Sequence, residues 1–100
     1  MNPAPSSNSI MYHVYLLRSK KNGTFYVGYT NNIVRRLKEH NSGLIGYTNK
    51  YMPWEVVYYE SFISLDDAKR REESLKYFGK AYSGLKLRIK ESLNMKEGAG

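Results

Sequence analysis

Five side chains in this 100-residue chain have types and spacing suited to cutting a phosphodiester. Tyr15 and Tyr26 lie in two short aromatic and β-branched runs, YHVYLL and TFYVGY. Arg36 and His40 are four residues apart in NNIVRRLKEHN, so a helix sets them one turn apart on one flank. Glu72 falls in SLDDAKRREESLK, where Leu65, Ala68 and Leu75 define an apolar stripe. On a helical wheel it points roughly 27° from the centre of that stripe, so a carboxylate is expected to face inward. A divalent cation on such a carboxylate polarises a phosphoryl oxygen, an arginine offsets charge on a pentavalent transition state, and a phenol or imidazole takes a proton from water. Each residue also has an ordinary reading. Strand tyrosines are usually packed sheet residues, Arg36 suits a solvated helix face, His40 suits a helix C-terminus, and Lys76 offers Glu72 a simple ion pair.

The elements that must position these groups are legible. Asn22-Gly23 supplies the backbone freedom of a tight hairpin turn, so the two runs pair antiparallel. With an even number of residues between paired positions, Tyr15 and Tyr26 share one face of the sheet. Asn31 or Asn32 caps the following helix, whose buried stripe is expected to be Ile33, Val34 and Leu37, with His40 at its edge. Residues 42–54 carry two glycines, a proline and three aromatics without a period and read as an ordered, irregular loop. Tyr47, Tyr51 and Trp54 are expected to pin it to the sheet rather than stack on bases. Glu55 to Phe62 is the third strand. Ser64 caps the second helix, Asp66 and Asp67 favour its positive end, and Gly79 is expected to close it. Lys80 to Leu93 reads as a third helix. Residues 1–10 read as a disordered leader, 11–93 as one domain and 94–100 as a flexible tail.

Composition bounds the function. Sixteen Lys and Arg against nine Asp and Glu give a net charge of +7, and ten tyrosines are present, a combination suited to a polyanionic partner. The absence of cysteine excludes disulfide frameworks, thiolate zinc sites and cysteine nucleophiles, and a cytoplasmic location is expected. No stretch is long and apolar enough for a membrane helix.

At these residues the chain resembles the GIY-YIG nuclease superfamily. His13-Val14-Tyr15 stands at the first strand motif and Tyr26-Val27-Gly28 at the second. Asn31 to His40 is similar to the family's arginine helix, and Ala68 to Lys76 to its metal-carboxylate helix. The resemblance spans roughly residues 11 to 90 and is nearest to small members related to the N-terminal nuclease domain of the excinuclease of DNA excision repair. It implies an α+β domain, a three-stranded, mostly antiparallel sheet flanked by about three helices, and divalent-metal-dependent, structure-selective cleavage of DNA. By this resemblance Glu72 is the ligand of one Mg2+ or Mn2+ ion, Arg36 clamps the transition state, Tyr15 or Tyr26 orients or deprotonates water, and His40 assists the tyrosine. Tyr29 stands where other members carry a lysine or tyrosine near the nucleophile. Tyr29, Arg35, Lys38, Arg71 and Lys76 are the expected DNA contacts, and the substrate is branched, nicked or damaged DNA. His13 replaces the first motif's glycine and is expected to face the same way as Tyr15. The rival reading is a nucleic-acid-binding module of the same fold without turnover.

Overall fold

Asn22 and Gly23 reverse the chain between β1 (Tyr12–Ser19) and β2 (Phe25–Thr30). Gly23 takes φ +79°, a left-handed conformation that costs glycine little. The Asn22 carboxamide oxygen accepts the Thr24 N–H at 3.0 Å, and the Ser19 hydroxyl accepts the N–H groups of Lys21 and Asn22. β3 (Trp54–Phe62) runs antiparallel along the other side of β1, giving the order β2-β1-β3. The computed structural model describes residues 10–95; the rest of the expected leader and the tail beyond residue 95 lie outside the described residues.

The central strand is covered on both faces, so Val14, Tyr15, Leu16 and Leu17 are all buried despite their alternation. Val14, Leu16 and Val27 pack with Ala68 and Leu75 of α2 (Leu65–Tyr77) and Leu85 of α3 (Gly79–Arg88). On the opposite face Tyr15, Leu17 and Trp54 pack with Leu37 of α1 (Ile33–Asn41) and with Tyr26. The pairing Tyr15↔Gly28 and Leu17↔Tyr26 puts both tyrosines on this second face, as the parity of the hairpin requires. A bulge in β3 opposite Leu16 and Leu17 leaves Val57 as the extra residue.

Three local expectations are corrected. Val34 is 66% exposed, because the inward row of α1 follows i, i+4, i+7 through Ile33, Leu37 and His40. Gly79 does not end α2; Phe78 does so in an extended conformation, and Gly79 opens α3. The third expected helix breaks at Ile89, whose ψ of 23° leaves the helical range, and resumes as α4 (Lys90–Asn94). The Arg18 guanidinium donates to the Leu93 carbonyl at 2.6 Å, satisfying one of the orphan acceptors at the end of α4. Four helices therefore flank the sheet, with a short 3-10 turn (Asn49–Tyr51) in the preceding loop.

Candidate active site

Asn32 starts α1 by accepting the Arg35 N–H at 3.0 Å on its side chain. At the other end the Asn41 carboxamide makes a pair of hydrogen bonds with the Trp54 backbone, accepting its N–H at 2.6 Å and donating to its carbonyl at 3.0 Å. The helix is thus fixed over the face that carries Tyr15 and Tyr26.

His40 lies fully buried beneath it. Its Nε2 is 3.0 Å from the Tyr15 hydroxyl and its Nδ1 is 2.8 Å from Thr48 Oγ1. Thr48, also fully buried, donates its hydroxyl to the Ile45 carbonyl at 3.3 Å, so toward His40 it accepts. Nδ1 therefore carries the proton, and Nε2 is the acceptor for the Tyr15 O–H. The Trp54 indole donates to the Thr48 carbonyl at 2.9 Å and holds this part of the loop in place.

Burial, and then the Arg36 cation, push His40 down to about 4, with Glu39 opposing them weakly. The imidazole is neutral at pH 7. Burial also pushes the Tyr15 phenol up to about 12; Arg36 beside it pulls the other way, and Tyr26 and Glu72 oppose ionisation. One consequence is measurable. With a folded pKa near 4 against an unfolded value of 6.5, the unfolded chain binds more protons between these limits, so stability is fully present above about pH 6.5 and falls as the pH drops toward 4. Urea unfolding is expected to show a loss of roughly 2 kcal/mol between about pH 6.5 and 5 that His40→Gln removes. An unchanged acid slope in that variant would show that His40 is not the group responsible.

Tyr26 is held by ring contacts, 5.0 Å from His40, 6.4 Å from Tyr15 and 6.1 Å from Tyr47. Tyr15 crosses over Gly28, where a Cβ would come within 2.6 Å of its Cζ. Only glycine at this position admits the phenol. Glu72 reaches the same place from α2: its Oε2 is 3.4 Å from Lys76 Nζ, which in turn stands 5.7 Å from the centre of the Tyr26 ring. Its side chain is 16% exposed, so the inward-facing carboxylate is half-buried and paired rather than sunk in the core. Arg36 pairs with Glu39 at 3.1 Å, both about one-third exposed. The five expected catalytic residues thus converge. His13 turns toward β3, bonding the Ser61 hydroxyl at 2.6 Å and meeting Tyr59 edge-on, so it does not crowd Tyr15.

The expected DNA contacts divide. Tyr29, Arg35, Lys38 and Lys76 belong to exposed positions, although Tyr29 pairs with Val14 and so faces away from Tyr15. Arg71 instead donates to Glu60 at 2.5 Å, and the same carboxylate accepts the Tyr58 hydroxyl. Thr48 carries a part of the site that nothing in its sequence context announces, and Gly28, legible only as the end of the second motif, makes room for the Tyr15 ring.

Among the described residues no three His, Cys, Asp or Glu side chains gather as a metal cluster. Glu72 offers one carboxylate, which fits a hard cation whose remaining ligands are water and phosphate oxygens rather than a zinc ion that needs three or four side chains.

Comparisons with known proteins bear on the family and the fold. The family model for the GIY-YIG catalytic domain matches residues 11–86. A UPF0213 protein of Halobacterium salinarum is 40% identical over 72 residues, covering 71% of this chain and 92% of its own. One of Clostridium perfringens is 36% identical over 88 residues, covering 87% and 90%. The solution NMR structure of a UPF0213 protein from Bacillus halodurans superposes with a TM-score of 0.53 at 28% identity, covering 91% of this chain and all of that one. No helix among the described residues is long and apolar enough to cross a membrane. With the motif strands, the arginine helix and the carboxylate helix folded onto one site, the chain belongs to the GIY-YIG family of nuclease catalytic domains.

Proposed function

We propose that the protein is a divalent-metal-dependent endonuclease that hydrolyses DNA phosphodiesters at structural irregularities such as branches, nicks or flaps. The observation that carries this reading is the hydrogen-bonded chain Tyr15, His40, Thr48, with Arg36 beside the phenol and Glu72 close enough to oppose its ionisation. Glu72 is the residue to hold Mg2+ or Mn2+, which when bound supplies Lewis-acid polarisation of a phosphoryl oxygen. Release of Glu72 from Lys76 leaves that ammonium available to a phosphate. Water loses its proton to the Tyr15 oxygen as the phenolic proton passes to His40 Nε2, so no isolated phenolate forms; His40, protonated on both nitrogens, is an imidazolium only while the hydroxide attacks, and returns the proton through Tyr15 afterwards. Arg36 is placed to offset the charge that accumulates on the phosphoryl oxygens.

The assay is direct. Branched, nicked and flapped duplexes, incubated with and without Mg2+ or Mn2+, are expected to yield discrete products only with metal. Affinity measured in chelator is expected to fall with salt at a log–log slope near −4 to −5, the signature of about four to six neutralised phosphates. Intact substrates together with a flat salt response would remove both the nuclease reading and its binding model.

A further inference from the structure

β2 has a neighbour on one side only, and a cleft of about 550 Å³ wraps its free edge. Phe25, Tyr26, Val27, Tyr47, Lys76 and Tyr82 line it. Its back wall is therefore shared with the catalytic face through Tyr26. Tyr47 is 72% exposed, and its ring contact is with Tyr26, at a tilt of 39°. Pinning the loop does not require it, because buried Trp54 and half-buried Tyr51 already do so from the same segment, with rings 6.5 Å apart. A large aromatic that touches the Tyr26 ring and leaves most of its own surface in water adds little to the packing of the protein.

We infer that this cleft receives one unpaired nucleobase next to the scissile phosphate, with Tyr47 as its stacking wall. This rests on the nuclease reading and narrows its substrate to DNA with a locally single-stranded nucleotide. Three features favour a base over another small apolar group. Four of the lining side chains, Phe25, Tyr26, Tyr47 and Tyr82, are flat rings, which accept any base by its face. Cations stand over two of them: Lys76 Nζ is 5.7 Å from the Tyr26 ring and Lys86 Nζ 4.5 Å from the Tyr82 ring, charge suited to a phosphate attached to the base. The volume suits a compact ligand, within the range of roughly 300–1,000 Å³ typical of such sites. A base inside a duplex is stacked and cannot enter a concave wall, so entry selects nucleotides already unpaired or easily extruded.

The test uses 2-aminopurine placed in turn at each nucleotide flanking the junction of a flapped duplex, with the full chain in chelator. At one position, binding is expected to quench the fluorescence severalfold. Tyr47→Ala, at an exposed position, should abolish the quenching there and weaken binding about 5- to 100-fold, whereas Tyr47→Trp and Glu72→Gln should retain it. An abasic nucleotide at that position should weaken wild-type binding to a similar degree. Quenching that survives Tyr47→Ala, or an abasic junction bound as tightly as the intact one, overturns the subsite. Cleavage of the same junction with metal separates the two readings. Cleavage without base-dependent binding leaves the nuclease and removes the subsite, whereas Tyr47-dependent quenching without cleavage upholds the subsite and removes the nuclease.

Discussion

Glu72→Gln is expected to lower metal-dependent cleavage by at least about a hundredfold while DNA affinity in chelator changes by no more than about twofold. The amide keeps the shape of the side chain and loses the anionic ligand. The structure also fixes what should happen to stability. Glu72 is engaged with Lys76 one turn on, at 3.4 Å, so its charge is neither unpaired nor deeply buried. Such helical pairs contribute about 0.3–0.5 kcal/mol, and the melting temperature should move by only a few degrees. A folded variant that binds DNA but no longer cuts it isolates the carboxylate as the ligand. Wild-type cleavage by a clean preparation of the variant would show that the metal is held elsewhere or not needed.

What the sequence exposed about this site is what local periodicity can carry. The hairpin parity that aligns Tyr15 with Tyr26 follows from Asn22-Gly23 and an alternation of two, and both tyrosines do share a face. The four-residue spacing of Arg36 and His40 needed only a helix. What it concealed depends on contacts across the fold. Thr48 lies in a stretch without a period, so nothing local announces that its hydroxyl sets the tautomer of His40. The reason for Gly28 is on the neighbouring strand, where the Tyr15 ring passes over it. His40 is buried more deeply than its wheel position suggests, because Asn41 ties the end of the helix to the Trp54 backbone and the inward row runs through Ile33, Leu37 and His40, leaving Val34 in solvent. Arg71 read as a phosphate contact because a basic run looks uniform in sequence; the partner that occupies it, Glu60, is on β3.

Tyr15→Phe is expected to slow cleavage by about a hundredfold or more, within the range typical of a lost general base, and Tyr26→Phe by at least roughly tenfold. The two phenols differ in connection. Tyr15 gives its proton to a neutral imidazole whose other nitrogen is committed to Thr48, a geometry that lets a phenol raised to about 12 act near neutral pH by handing one proton on as it takes another. Tyr26 meets the site by its ring, so the hydroxyl lost in Tyr26→Phe takes away polarity at the cleft rather than a link in the relay. Stability should separate them as well. Tyr15→Phe leaves Nε2 buried without a donor, at a cost of about 1–3 kcal/mol, whereas Tyr26→Phe keeps its packing and should unfold like the wild type. Rates are therefore compared at a temperature where unfolding curves show both variants native. Thr48→Val supplies the control for the relay: with Nδ1 no longer tied to a hydroxyl, the proton can reside on Nε2 and the acceptor for Tyr15 is lost, so this variant should be slowed in the same direction as Tyr15→Phe while Tyr15 itself is intact. Full activity in Thr48→Val and Tyr15→Phe together would mean that water reaches the phosphate without help from the buried chain.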